Sequence, residues 1–160
     1  NQTHSDVVAF VKSSQIFDSD GIYTEKHNLG LVVQTADCMP ILLSDKKRIG
    51  AIHSGWRGLK NNIVKKAIKK FDINRLSISI GPHAQSCCYE VKEDVKKYFN
   101  DYTELRYGKF FLNMSQVIKD LSEKEGFQIE VSSICTICNS SYNSYRQNRT
   151  NERQFGVIWK

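Results

Sequence analysis

TADCMPILLSDKKRIGAIHSGWRGL, Thr35–Leu59, carries two short apolar runs joined by a polar, basic stretch. Met39–Leu43 and Ile49–His53 each read as a strand, and Ser44–Lys47 reads as the hairpin turn between them. A helix follows. Leu59, Ile63, Ala67 and Phe71 recur every four residues, Val64 and Ile68 widen the stripe, and Lys60, Lys65, Lys66, Lys69 and Lys70 face away, which predicts a helix over Leu59–Phe71. The unusual feature is what sits at the ends of the two runs. Asp37 and Cys38 precede the first, His53 closes the second, and Arg57 lies in the glycine-flanked Gly55–Gly58 turn.

Working outward, Val7–Val11, Leu31–Gln34, Leu76–Ile80, Gln128–Ser133 and Phe155–Trp159 read as further strands. Glu93–Phe99 reads as a short helix. Met114–Glu123 reads as a longer one, capped by Asn113, with Gln116 three residues on and Met114, Val117, Ile118 and Leu121 as its buried stripe. Strands and helices mix without strict βαβ alternation, so the expected class is α+β. No repeat or Pro/Gly-rich linker divides the 160 residues, which predicts one domain over 1–160.

Composition narrows the function. Hydrophobic content of 40% and charged content of 25% are those of a globular protein, not of a disordered or fibrous one. No apolar run approaches the roughly 20 residues of a membrane helix, and residues 1–12 are not a secretory signal, so no membrane role is expected. The net charge of +6 favours anionic partners such as phosphates and nucleotides. The lysine clusters read as solvated helix faces, and the aromatics do not interleave with them as a single-strand groove requires, so nucleic acid is not the expected partner. Five cysteines, an odd number in a chain of this size, fit a reducing cytoplasm better than a disulfide framework.

Three potential metal ligands, His4, Cys38 and His53, have separations that match no zinc finger. Assembled from different strands, they would form a three-ligand site with an open position, the arrangement that acidifies a bound water in catalytic zinc sites. Spacing alone favours the plainer reading, with Cys38 a small buried hydrophobe and His4 a terminal surface residue. A third reading uses Cys38 as a thiolate nucleophile with His53 as its base, a cysteine hydrolase. Asp37 is placed to act as a general acid or base, or to orient a histidine. Arg57, ahead of the expected helix, suits an oxyanion. Cys135 and Cys138 form a CxxC, but Cys87 and Cys88 are adjacent, a poor chelating pair, so these four read as core or loop cysteines. The deaminase pattern H-x-E with P-C-x-x-C, the P-loop and G-x-G-x-x-G are all absent.

Taken in order, QTH (Gln2–His4), DGIYT (Asp20–Thr24), TADCMPILL, AIHSGWRGL, IGP with CCYEV (Ile80–Val91), CTIC (Cys135–Cys138) and SYR (Ser144–Arg146) resemble the YfiH family. This family is also called the laccase-domain or polyphenol oxidoreductase family, and its members include purine nucleoside phosphorylases and a peptidoglycan-editing protein. The resemblance implies a YfiH-like fold of mixed β-sheets flanked by helices. It implies a zinc site from His4, Cys38 and His53, with copper as the older assignment for a polyphenol oxidase. It also implies phosphorolysis of adenosine, inosine, guanosine and methylthioadenosine, and deamination of adenosine. Arg57 with Arg146 would hold the phosphate, and Asp37 would move a proton. Family members carry a longer segment ahead of QxH, so the chain is expected to lack an N-terminal part of the fold. The family's SYRRDG…TGR ending reads SYRQNRTNER here, and its GPxIG segment reads GPHAQ, which places the differences on the substrate side. A cysteine hydrolase acting on a peptidoglycan-related amide is the main rival; a metal- or nucleotide-binding module without turnover is the third.

Overall fold

A computed structural model describes residues 1–14, 16 and 18–160. The quoted stretch forms the centre of a six-stranded sheet. Strand β4 (Met39–Ser44) pairs antiparallel with β5 (Ile49–Ser54), with Ile41 opposite Ile52. The hairpin closes through Asp45, whose carboxylate Oδ1 accepts from the backbone N–H groups of Lys47 and Arg48. Such a local bond from an aspartate is what makes it a turn former. Outside this pair lie β1 (Val8–Phe10), β2 (Gly21–Thr24), β6 (Ser77–Ile80) and β10 (Gln128–Val131), giving the order β1-β2-β5-β4-β6-β10. The outer pairs β1–β2 and β6–β10 are parallel, and the inner pairs are antiparallel. Two smaller sheets complete the β structure among the described residues: β3 (Leu31–Thr35) with β11 (Gln154–Ile158), and β7 (Glu90–Val91), β9 (Lys109–Leu112) and β8 (Thr103–Arg106).

Both faces of the central hairpin are covered, which explains why its runs are apolar rather than alternating. Met39, Ile41, Leu43 and Ile52, with Ile78 and Ile80, share the main core with Ile63, Val64 and Ala67 of α2 (Ile63–Ile68) and Met114, Ile118 and Leu121 of α4 (Met114–Glu125). Ile49 and Ala51 point the other way, into a smaller core with Leu31 and Val33 under the β3–β11 ribbon. The ribbon approaches closely because residue 156 is glycine. A Cβ there would stand 3.0 Å from Pro40 Cβ, inside any ordinary contact.

The helix expected over Leu59–Phe71 is broken. Trp56–Lys60 forms α1, and Asn62, at φ 63°, turns the chain left-handed before α2 begins. Asparagine is among the few non-glycine residues that adopt this conformation readily, so the Asn61–Asn62 pair is a break signal that the hydrophobic stripe conceals. The stripe itself is buried as expected: Leu59, Ile63, Val64, Ala67, Ile68 and Phe71 all lie in the main core. Asn113 caps α4 by accepting from the Gln116 N–H, as the sequence indicates. Helix α3 covers only Glu93–Lys96, and a short α5 (Tyr145–Asn148) and the β7–β9–β8 sheet carry no clear periodicity in the sequence. Among the described residues no helix is long and apolar enough to cross a membrane.

Candidate metal centre and cleft

His53 sits on β5 directly opposite Pro40, on the face covered by the ribbon. Cys38 ends the loop that enters β4, and His4 arrives from the chain's first residues. The three ligand atoms lie within 4.8 Å of one another. His4 Nε2 is 3.8 Å from Cys38 Sγ, and the two imidazoles meet edge to face at 4.8 Å between ring centres. The trio isolated in the sequence is therefore assembled by the fold.

The residue that assembles it was not singled out from the sequence. Asp20, at the start of β2, is 1% exposed. Its Oδ1 accepts from the His4 N–H at 3.0 Å and pairs with His53 Nδ1 at 2.7 Å. Its Oδ2 accepts from the Thr3 N–H, the Ser5 N–H and the Ser5 hydroxyl. One carboxylate thus fixes the backbone of the QTHS segment and the orientation of His53, leaving His53 Nε2 to face the centre. A carboxylate behind a histidine is the usual support of a metal-binding imidazole. The backbone at His4 is left-handed, φ 61°, and Asp20 is what holds it there. The role of orienting a histidine belongs to Asp20 and not to Asp37. DGIYT held the signal: an aspartate that opens a strand beside the histidine strand.

The donor set suits a divalent ion. Burial would raise the Cys38 thiol, but hydrogen bonds from His4 and His53 outweigh it and bring it to about 7, so the thiolate is accessible near neutrality. Burial would also lower His53, yet the Asp20 carboxylate and the Cys38 sulfur raise it to about 9. His53 and the Cys38 thiolate are thus held together by charge that a metal could replace. One thiolate and two imidazoles are borderline-soft ligands of the kind zinc takes. Space is equally constrained: a Cβ on residue 55 would fall 2.7 Å from Cys38 Sγ, so Gly55 is required for the sulfur's position. Gly55→Ala is expected to weaken metal binding by ~10–100-fold, the scale of other supporting-residue losses, while leaving the folded spectrum intact. Competition with a chromogenic chelator measures it.

The centre opens into a cleft of about 810 Å³, within the range of small-molecule sites. Arg57, Arg146 and Arg153 line it, with Trp56, Tyr89 and Tyr145 as aromatic walls. Arg57 is exposed and stacks on Trp56 at 4.6 Å. It lies inside α1 rather than ahead of it, because the helix starts at Trp56, and the five-residue α1 leaves anion attraction to the guanidinium itself. Arg146 lies over the Tyr89 ring and donates to the Glu90 carbonyl. Asp37 is buried at φ 84°; its Oδ1 accepts from the Thr136 hydroxyl at 2.8 Å and its Oδ2 from the Arg146 N–H at 2.7 Å. It therefore ties the CTIC and SYR segments to the Cys38 loop. The cysteines read as loop residues, Cys87, Cys88, Cys135 and Cys138, also converge, with all four sulfurs within 4.8 Å of one another.

Fold and site together define an α+β protein with a histidine–cysteine metal-type centre at the base of an arginine-lined cleft. A family model described as multi-copper polyphenol oxidoreductase laccase matches residues 1–160, and the chain belongs to this YfiH-type family. A purine nucleoside phosphorylase of Aquifex aeolicus strain VF5 is 37% identical over 98% of the chain and 79% of the relative. Another, of Clostridium acetobutylicum, is 35% identical over 99% of the chain and 75% of the relative. The crystal structure of the Bacillus licheniformis hypothetical protein YfiH superposes with a TM-score of 0.90 at 27% identity, covering 100% of this chain and 73% of that one.

Proposed function

We propose that this chain is a purine nucleoside phosphorylase whose chemistry takes place beside a zinc ion held by His4, Cys38 and His53. The observation that carries the reading is the convergence of that trio at the base of a cleft lined by three arginines. The names of the relatives supply the substrate class.

Zinc bound there would supply Lewis-acid polarisation of a nearby substrate atom. The remaining roles fall to the chain's own side chains. Arg57 and Arg146 hold phosphate by charge-assisted hydrogen bonds. Trp56, Tyr89 and Tyr145 offer flat faces to a purine. As the glycosidic bond breaks, positive charge develops on the sugar, and the phosphate held by the arginines is the anion that stabilises it and attacks. Asp37, with both oxygens occupied, acts by positioning: its bond to the Arg146 N–H places the segment that carries the guanidinium. Adenosine, inosine, guanosine and methylthioadenosine are the substrates, with adenosine deamination as a second activity of the same cleft. Five free cysteines fit a cytoplasmic site of action.

Incubation with adenosine and phosphate is expected to yield adenine and ribose 1-phosphate, together with inosine and hypoxanthine. Omitting phosphate should stop release of free base while inosine continues to form. No product from any of the four nucleosides, in zinc-loaded protein, would refute the proposal. One observation favours a second reading: Cys38, His53 and Asp20 also stand in the relation of a nucleophile, base and orienting carboxylate. A cysteine hydrolase would keep its activity in a strong chelator and lose it to iodoacetamide. Phosphorolysis at a zinc centre should be lost to the chelator and recovered on adding zinc.

A further inference from the structure

Cys87 and Cys88 lie on one turn and Cys135 and Cys138 on another, 50 residues apart in sequence between Gln85 and Cys135. The two turns are stitched by backbone. The His83 N–H donates to the Ile134 carbonyl and the Thr136 N–H to the His83 carbonyl, making a parallel bridge between His83 and Cys135. The Gln85 side chain adds a bond to the Ser132 carbonyl. In the first turn, the Cys88 and Tyr89 N–H groups both donate to the Gln85 carbonyl, a tight bend that brings even adjacent cysteines to one side. The separation of the sulfurs is then informative. All four lie within 4.8 Å of one another, and Cys87 and Cys138 are 4.0 Å apart. A tetrahedral zinc with Zn–S of about 2.3 Å requires sulfurs about 3.8 Å apart. Cys87 and Cys138 are exposed, so a small closing shift at these two positions would make up the difference around the buried Cys135.

The surroundings match a thiolate site as well. The Gln85 N–H donates to Cys135 Sγ at 3.4 Å, and the N–H groups of Ile137 and Cys138 address the same sulfur. Backbone donors around a CxxC sulfur spread the negative charge that four thiolates around one dication would leave. Arg106 brings a guanidinium to the Ser86 carbonyl, next to Cys87. Among the described residues the cluster consists of four cysteines with no histidine or carboxylate, so it resembles a closed, structural site and not a catalytic one.

We propose that Cys87, Cys88, Cys135 and Cys138 bind a second zinc ion, with a structural role distinct from the His4–Cys38–His53 centre. Binding would release the thiol protons to solvent and form four Zn–S bonds without any redox change. Its consequence is local: the first turn leads into Tyr89, which lines the cleft, and the second carries Thr136, which holds Asp37. The ion would fix two walls of the cleft relative to each other. This inference does not depend on the phosphorylase reading.

The test is metal content, not activity. Protein produced with zinc and a thiol reductant is expected to carry two zinc ions per chain. A Cys38→Ala/His53→Ala variant, with the cleft centre dismantled, should retain one, and X-ray absorption at the zinc edge should show four sulfur neighbours at about 2.3 Å and no nitrogen. Cys87→Ser/Cys138→Ser should lose one zinc from the wild-type count. If that variant does not fold, the Cys38→Ala/His53→Ala protein decides alone. Zero zinc in it, nitrogen or oxygen in its zinc shell, or an intact mass showing two disulfides in the freshly reduced protein would overturn the proposal.

Discussion

On the proposed function, replacing Cys38 with alanine should abolish zinc binding in the cleft and reduce phosphorolysis of adenosine to background. The sulfur is the one anionic ligand of the trio, and the other two are neutral imidazoles when they bind metal. Four-ligand zinc sites are worth about 10–16 kcal/mol, so losing one of three protein ligands removes several kcal/mol, on the order of 10³-fold in affinity. The alanine also removes one of the two partners that hold His53 in its raised state. The structure should survive, because Cys38 is only half-buried and its neighbours Met39 and Ile41 anchor β4 in the main core. Elemental analysis and an initial-rate assay on the same preparation check the result. Full activity in Cys38→Ala, or in His53→Ala, would remove the centre from the mechanism. Their melting temperatures show whether loss of rate reflects loss of fold.

The second large effect is expected at Asp20, whose two oxygens are taken up by His53 and the QTHS segment. Asp20→Asn keeps the volume but puts an amide NH₂ in place of one oxygen, where either the His4 N–H and His53 Nδ1 or the Thr3 and Ser5 N–H groups and the Ser5 hydroxyl require an acceptor. Removing one member of a buried, hydrogen-bonded pair costs about 3–5 kcal/mol, and metal affinity should fall by ~10–100-fold. The pH dependence gives the mechanism a signature. In metal-free protein, burial would raise the Asp20 carboxyl, but His53, Ser5 and Thr3 hold it far below the ordinary carboxylate range. A depressed acid stabilises the fold above its unfolded pKa, and that contribution is lost as pH falls. His53 is raised from 6.5 to about 9, so its contribution is complete below 6.5 and is lost as pH rises through 9. Melting in the presence of chelator should therefore show the largest gap between wild type and Asp20→Asn near pH 6 and a smaller one near pH 10. An equal gap at both would mean that Asp20 acts only through the backbone of the QTHS segment.

The two predictions mark where local sequence information ends. The hairpin of β4 and β5, the stripe from Leu59 to Phe71 and the cap of α4 depend on contacts between near neighbours, and their periodicity shows in the letters. The break at Asn62 depends on one residue's backbone preference, which a stripe of buried side chains does not reveal. The β7–β9–β8 sheet pairs short strands of partly exposed residues, so no alternation announces it.

The site divides along the same line. His4, Cys38, His53, Arg57 and Arg146 could be picked out because their residue types carry chemistry and because the ordered motifs resemble one family. Residue type alone left Cys38 ambiguous between ligand and core, and it gave no reason to join Asp20 to His53 or to pair two adjacent cysteines with a distant CxxC. Those joins are long-range. Asp20 meets His53 because β2 pairs with β5, and Cys87 meets Cys138 because His83 bridges Cys135, 52 residues further along the chain. Hydrophobic period and turn chemistry are set by each residue and its immediate neighbours, so the chain alone determines the elements and the inventory of reactive groups. Which of those groups come within bonding distance is decided by strand pairing and burial, which only the folded chain possesses.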